Sequence, residues 1–298
     1  MPTPMNRNLT WTAWALLAPA LILVLGVAVY PVIRTLTLSL FTQNLSTNLE
    51  PVFSGLYNYQ RLVADGHFWE TVMRTLVFTG FAVGSELLVG LAAALAVHHS
   101  PFGRGLARTA ALVPWVLPTA ALGLGWIWIF NDQFGVVNDL LIHAGMLSKP
   151  IAWLGRPDTA FTALVLADVW KTTPFITLLL LAGLQTIPVQ LYEAASIDGA
   201  SRWQRFVQIT LPMLQPTIFV AVLFRALQSF GIFDLVYVMT GGGPGGATET
   251  VAIYTYRNFM RYLDFGYGAA LLVAGAGVLS VLTGGIWLVL GRSNGGDR

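Results

Sequence analysis

Cysteine is absent from this 298-residue chain, which excludes disulfides, thiolate metal sites and a catalytic thiol. Charge is scarce. Asp, Glu, Lys and Arg make up 10% of the residues, against about 25% in a soluble domain. The net charge of +2 is too small to point to a nucleic-acid partner. Histidine occurs only as His67, His98, His99 and His143. His98 and His99 are adjacent and so point to different faces of a helix end. No carboxylate or further histidine stands at ligand spacing, so no metal site is expected. No Ser-His-Asp arrangement is legible. The phosphate loop G-x-x-x-x-G-K-[ST] is missing. The one glycine run, Gly241-Gly242-Gly243-Pro244-Gly245-Gly246, has no adjacent Lys or Arg and reads as a flexible turn. The chain therefore has no ATP site or cofactor of its own, and it is not expected to be an enzyme.

What remains is hydrophobic. Apolar residues make up 55% of the chain, which makes this a membrane protein before any motif is read. Six stretches reach the length that crosses a ~30 Å hydrocarbon core. They cover roughly Trp14–Leu36, Val72–Val97, Leu106–Phe130, Phe161–Gln185, Met213–Met239 and Tyr267–Leu290. Isolated strands cannot cross lipid with unpaired backbone groups, so the expected fold is an all-α membrane protein with six transmembrane helices in a single domain over residues 1–298. Pro114, Pro118 and Pro174 fall inside these stretches, and bundle neighbours can accommodate them. The first run is followed by Pro31 and Arg34 without a small-residue cleavage pattern, and is read as a retained span. Orientation follows from Lys and Arg near the span ends. A cytoplasmic N-terminus puts Arg7, Arg104, Arg108, Arg202, Arg205, Arg292 and Arg298 inside, and Arg61, Lys149, Arg156, Arg257 and Arg261 outside. The inside bias is modest and places both termini in the cytoplasm.

Between the fourth and fifth stretches stands EAASIDGASRWQRFVQITLP, Glu193 to Pro212. Pro188 suits a helix start, and Gln190–Ile197 reads as helix. Gly199 supplies the permissive backbone of a helix end. Ser201 with Gln204 three residues on has capping-box spacing, so a second helix begins there. The result is a helix–turn–helix elbow over 188–211, on the cytoplasmic face. Two readings are open: a connector on the lipid headgroups with Arg202 and Arg205 facing phosphates, or a knob that docks another protein.

Glu193-Ala194-Ala195, Gly199, and Ile209-Thr210-Leu211-Pro212 resemble the EAA signature of ABC importer permeases, at every fixed position. SGLYNY at Ser54–Tyr59, WKTTPFITLLLLAGLQTIP at Trp170–Pro188 and FDLVYVMTGGGPGGAT at Phe233–Thr248 are similar to segments of the carbohydrate-uptake, maltose/trehalose-type branch. The resemblance covers nearly the whole chain and implies a type I ABC importer permease in a bacterial or archaeal cytoplasmic membrane. It implies that the elbow is the coupling helix, with Glu193, Ala194, Ala195, Asp198 and Gly199 meeting a cytoplasmic ATPase dimer that carries the ATP and magnesium. It further implies a second homologous permease subunit, an extracytoplasmic sugar-binding protein that docks near the glycine loop, and a saccharide substrate.

Ionisable residues inside spans are costly and face the interior or a water-filled cavity. Here they are Glu86, Asp168, Lys171 and Arg225. Gln228, Ser229 and Ile232 follow Arg225 at helical spacing, which makes a polar stripe on an apolar helix. The stripe is either a structural pair of Arg225 with Glu86 or Asp168, or the lining of a substrate cavity. The resemblance puts Arg225 and Ser229 at substrate-contact positions, with Trp115 and Thr119 of the third span and Lys171, Thr172 and Phe175 of the fourth. An aromatic ring for the apolar face of a sugar and polar donors for its rim make a reasonable site. Trp115 and Phe175 also suit ordinary packing. Arg225 and Lys171 depart from the maltose-type pattern, which tells against maltose itself, and WKTTPF and LFRALQSFGIFD resemble trehalose-type permeases more than strict maltose ones; the expected substrate is a trehalose- or maltose-like disaccharide or a glycosylated polyol. The competing function is a carrier driven by an ion gradient, with Arg225, Glu86 and Asp168 as its coupling groups; a scaffold subunit leaves the polar stripe unexplained. Glu86 itself is read as structural, paired with Arg74 or with another span.

Overall fold

Lipid offers backbone N–H and C=O groups no partner, so a crossing segment must bond within itself. The long apolar runs are helical accordingly. The computed structural model describes residues 7–99 and 112–291. In chain order it holds α1 (Arg7–Val24), a π turn (Leu25–Val29) and α2 (Tyr30–Leu38), then strands β1 (Phe41–Asn44) and β2 (Asn48–Phe53). Helices α3 (Tyr57–Ala64), α4 (Gly66–His99), α5 (Thr119–Ile129), α6 (Val136–His143) and α7 (Pro157–Gln185) follow. The elbow contributes α8 (Val189–Ile197), α9 (Arg202–Arg205) and a π turn (Phe206–Thr210), which runs into α10 (Leu211–Phe230). The chain continues through α11 (Asp234–Met239), α12 (Val251–Met260) and α13 (Phe265–Ile286). Among the described residues, five helical segments are long and apolar enough to cross a membrane: Trp14–Leu38, Gly66–His98, Pro157–Gln185, Arg202–Phe230 and Phe265–Gly291.

Two expected spans are broken. Of the stretch Leu106–Phe130, residues 106–111 lie outside the described residues. The rest is helical at 112–116, bends at Leu117 and restarts as α5, with Pro118 at its N-cap in extended conformation (ψ 128°). Pro118 has no N–H to donate, and its ring clashes with the preceding turn. The stretch expected to run from Met213 to Met239 stops at Phe230. Gly231–Phe233 are non-helical, and Asp234 opens a separate short helix. Gly231 has no side chain to hold a turn in place, and an acid is favoured in a first helical turn. The all-α expectation also missed the antiparallel β1–β2 hairpin.

The chain divides into two compact units, Met1–Gly66 with Thr255–Gly275, and His67–Tyr254 with Ala276–Arg298. In the first, the SGLYNY motif is a staple. Asn58 is 1% exposed, and its amide donates to the Ser39 and Phe41 carbonyls at 2.9 and 2.8 Å. The Tyr59 and Ser39 hydroxyls meet at 2.7 Å. Arg61 pairs with Asp264 at 2.6 Å and lies over the Tyr267 ring.

Two apolar cores form among the described residues of the second unit. One joins Phe78 and Ala82 of α4 to Leu122, Leu164, Ala167 and Leu235. The other joins Ala94 of α4 to Ile176, Leu180, Leu184 and Leu214. Close approach replaces hydrophobic driving force where lipid is the solvent. A Cβ on Gly90 would stand 2.7 Å from Ile176, and one on Gly183 would stand 2.6 Å from the Thr217 hydroxyl. Along α4 and α7 the two cores leave a gap between Ala82 and Ala94, and between Ala167 and Ile176. Glu86, Asp168 and Thr172 fall in that gap.

Candidate functional site

Arg225 enters the gap from α10 and is 3% exposed. Its Nε donates to Glu86 Oε2 at 2.6 Å, and one terminal nitrogen donates to Glu86 Oε1 at 2.7 Å. This is a bidentate fork, the strongest form of the Arg–carboxylate pair. The same nitrogen reaches Asp168 Oδ2 at 3.0 Å, and the other terminal nitrogen reaches Gln228 Oε1 at 2.9 Å. The Thr172 hydroxyl donates to Glu86 Oε1 at 2.6 Å. Glu86 is wholly buried and Asp168 is 5% exposed. A buried charge is tolerable only when paired and fully hydrogen-bonded, and this cluster meets that condition for Arg225 and Glu86. Of the partners considered for Glu86, Arg74 is excluded: it bonds Glu70 one turn away at 2.6 Å.

Directly against the cluster lies a cavity of about 250 Å³. Its walls include Trp115, Thr119, Asp168, Lys171, Thr172, Arg225, Gln228 and Ile232. The two chain breaks build it. The Pro118 break lets Trp115 and Thr119 contribute from either side of a bend, and the Gly231 break brings Phe233 and Asp234 to the wall. Non-helical backbone at membrane depth belongs where it lines a cavity. Arg225 is thus an ion-pair partner and also lines a cavity.

Phe175 and Ser229 do not line this cavity. Phe175 stacks on Trp115 at 5.9 Å between ring centroids, tilted by 22°, so it supports the wall. Ser229 is 1% exposed, and its hydroxyl is buried without a hydrogen-bond partner among the described residues. Sequence reasoning missed Gly231, Phe233, Asp234 and Leu235 as lining residues, and it named Asp168 as an interior or cavity-facing acid without placing it on the substrate path. The signal was an acid and a glycine inside an otherwise apolar run. The Lys171 side chain lines the cavity and forms no hydrogen bond or ion pair among the described residues. Among the described residues no group of three or more His, Cys, Asp or Glu could hold a metal ion.

The elbow is built as its sequence spells it. Gly199 takes φ +77°, its N–H bonds the Ser196 carbonyl at 3.2 Å, and the Ala200 N–H bonds the Ala195 carbonyl at 2.9 Å. This is the Schellman closure of a helix. Pro188 is the N-cap of α8 rather than its first helical residue. Ser201 and Gln204 make both bonds of the capping box, at 3.2 and 2.8 Å. Glu193, Ala194, Asp198 and Gly199 are exposed and Ala195 is half-buried. The glycine loop is more built than a flexible turn. The Thr248 hydroxyl bonds the Gly243 carbonyl at 2.6 Å and the Thr240 hydroxyl at 2.7 Å, and buried Glu249 meets His67 at 2.8 Å.

Residues 86–291 match the family described as the binding-protein-dependent transport system inner membrane component. The chain belongs to this family. Among its relatives, the sulfoquinovosyl glycerol transport system permease of Agrobacterium fabrum is 43% identical over 274 residues, 88% of each chain. The trehalose/maltose transport system permease of Thermococcus litoralis is 42% identical over 260 residues, 87% of each chain. The trehalose transport system permease of Mycobacterium tuberculosis is 40% identical over 271 residues, 91% of this chain and 85% of that one. The chain also shares its fold with a bacterial ABC transporter involved in the import of alginate, with a TM-score of 0.79, 22% identity and 98% of each chain covered. The protein is a permease component of an ABC transporter with the type I importer fold, and it lies in the inner membrane.

Proposed function

We propose that the permease forms one half of the translocation path of an ATP-driven importer for a small saccharide or glycoside, such as a trehalose- or maltose-like disaccharide or a glycosylated polyol. The observation that carries this reading is the polar cavity of about 250 Å³ at the ion cluster. Trp115 offers a ring to the apolar face of a sugar, while Thr119, Gln228 and Lys171 offer hydroxyl, amide and ammonium groups to its rim. Ligand sites for molecules of this kind run to about 300–1,000 Å³. The cavity falls short of that range, which supports a facing wall from a second, related permease subunit. Relatives named for trehalose, maltose and sulfoquinovosyl glycerol support the substrate class.

The elbow supports coupling to a separate ATPase dimer, which carries the ATP and magnesium. Glu193 and Asp198 are exposed and form no ion pair among the described residues, and Ile197 between them is 86% exposed. Charged acceptors around an apolar tip suit a protein socket. In this reading both termini and the elbow face the cytoplasm, and a sugar-binding protein docks on the opposite face.

Uptake of labelled trehalose, maltose and glucosylglycerol by the full assembly in proteoliposomes tests the proposal. Uptake is expected to require ATP on the elbow side and to persist without an ion gradient. Lys171→Gln is expected to raise KM about tenfold, the equivalent of ~1.4 kcal/mol, without changing the melting temperature. Uptake that follows a proton or sodium gradient and ignores ATP would sink the reading in favour of a gradient-driven carrier.

A further inference from the structure

A second cavity, of about 500 Å³, lies between the end of α4 and the elbow, lined by Leu95, Tyr192, Arg202, Arg205, Phe206 and Thr210. It is cationic by construction. Among the described residues that line it, two are arginines and none carries a carboxylate. Neither arginine forms an ion pair among the described residues. Arg205 is held in place across the elbow by a 2.7 Å bond from one terminal nitrogen to the Ser196 hydroxyl. Its Nε is buried with no hydrogen-bond partner among the described residues, a costly state for a charged donor unless an acceptor arrives. The Tyr192 and Thr210 hydroxyls, 2.9 Å apart, complete the polar wall.

We propose that this cavity binds the phosphate of an anionic phospholipid headgroup. Guanidinium forks match phosphate oxygens in shape and charge, and basic pockets between membrane helices take such headgroups. The depth is right for a lipid. Leu95 lies near the end of the Gly66–His98 span, and Phe206 lies within the Arg202–Phe230 span. The apolar part of the cavity therefore belongs to two membrane-crossing helices at their ends, where an acyl chain starts. Trp203, 71% exposed beside it, suits the headgroup level that tryptophan favours. A bound headgroup would tie both arms of the elbow to the membrane surface. The inference requires only that the spans lie in a bilayer and is independent of the solute carried.

The test is native mass spectrometry of the full assembly released from nanodiscs containing phosphatidylglycerol or only phosphatidylcholine. The wild-type assembly is expected to retain phosphatidylglycerol, and Arg202→Gln/Arg205→Gln to retain at least fivefold less. Leu95→Trp, which fills the cavity and keeps both charges, is expected to displace the same lipid. Equal retention by all three proteins overturns the proposal. So does a wild-type assembly that carries no phosphatidylglycerol mass but gains a phosphate adduct in 50 mM inorganic phosphate, which would assign the cavity to a free anion. Loss of the ATPase from the double variant at unchanged lipid retention would assign the arginines to a protein contact and overturn it equally.

Discussion

Removing Arg225 and removing one of its carboxylates are unequal changes. Arg225 lies between Glu86 and Asp168 at 2.6 and 3.0 Å. Glu86→Gln or Asp168→Asn still leaves the arginine one carboxylate. Arg225→Gln leaves two buried carboxylates with no cation bonded to either, and an uncompensated buried charge costs about 3–5 kcal/mol. Thermal unfolding in detergent should therefore rank Arg225→Gln well below either carboxylate variant. Adding Glu86→Gln to Arg225→Gln should restore part of the loss, a coupling that a double-mutant cycle reads directly. Additive losses would mean that the cluster is not one electrostatic unit. Helical spacing alone made the stripe of Arg225 and Gln228 legible. The choice of partner was not legible, because Arg74 and Arg225 are equally plausible for Glu86 until it is known which helices face each other. Ser229 shows the limit of spacing: it sits four residues from Arg225, yet its buried hydroxyl misses the cavity.

At the scale of elements, the elbow was the most readable part of the chain because each of its signals is local. A Schellman glycine and a capping box depend on neighbours within six residues, and both are present. The broken spans were less readable. Hydropathy counts the run from Met213 to Met239 as one span, because it does not distinguish a helix that continues past Gly231 from one that restarts at Asp234. The elbow also separates two roles for Gly199. A Cβ there meets nothing within 4 Å, but the residue sits at φ +77°. Asparagine tolerates this conformation better than other side chains. Gly199→Asn is therefore expected to keep the melting temperature of the isolated permease within a few degrees. It is also expected to lose at least tenfold in ATP-coupled uptake, because the open space at Gly199 is where the proposed ATPase must close. Retained uptake would show that the elbow needs only its backbone shape.

At the scale of the whole molecule, what is left uncovered matters as much as what is packed. None of the apolar window of the first span, Trp14–Leu38, is buried. A helix that is apolar all round belongs against lipid or another subunit. The proposed solute cavity is unfinished in the same sense. Its polar wall is dense with Asp168, Lys171, Thr172, Arg225 and Gln228, whereas its aromatic surface rests on Trp115 and Phe233. A sugar held by one such wall keeps much of its surface in water, and binding sites normally bury about 70–90% of a ligand. The permease alone in nanodiscs should therefore bind labelled trehalose no better than about 1 mM, where the whole standard free energy is only ~4 kcal/mol. The assembly with the proposed second permease subunit, trapped with the proposed binding protein, should bind at least tenfold more tightly. In both preparations Lys171→Gln should weaken whatever binding is measured, since it replaces the ammonium of the wall that both share with a shorter, uncharged amide. Equal affinity with and without the second subunit would mean that this chain closes its own site, and the division of the path between two chains would have to be abandoned.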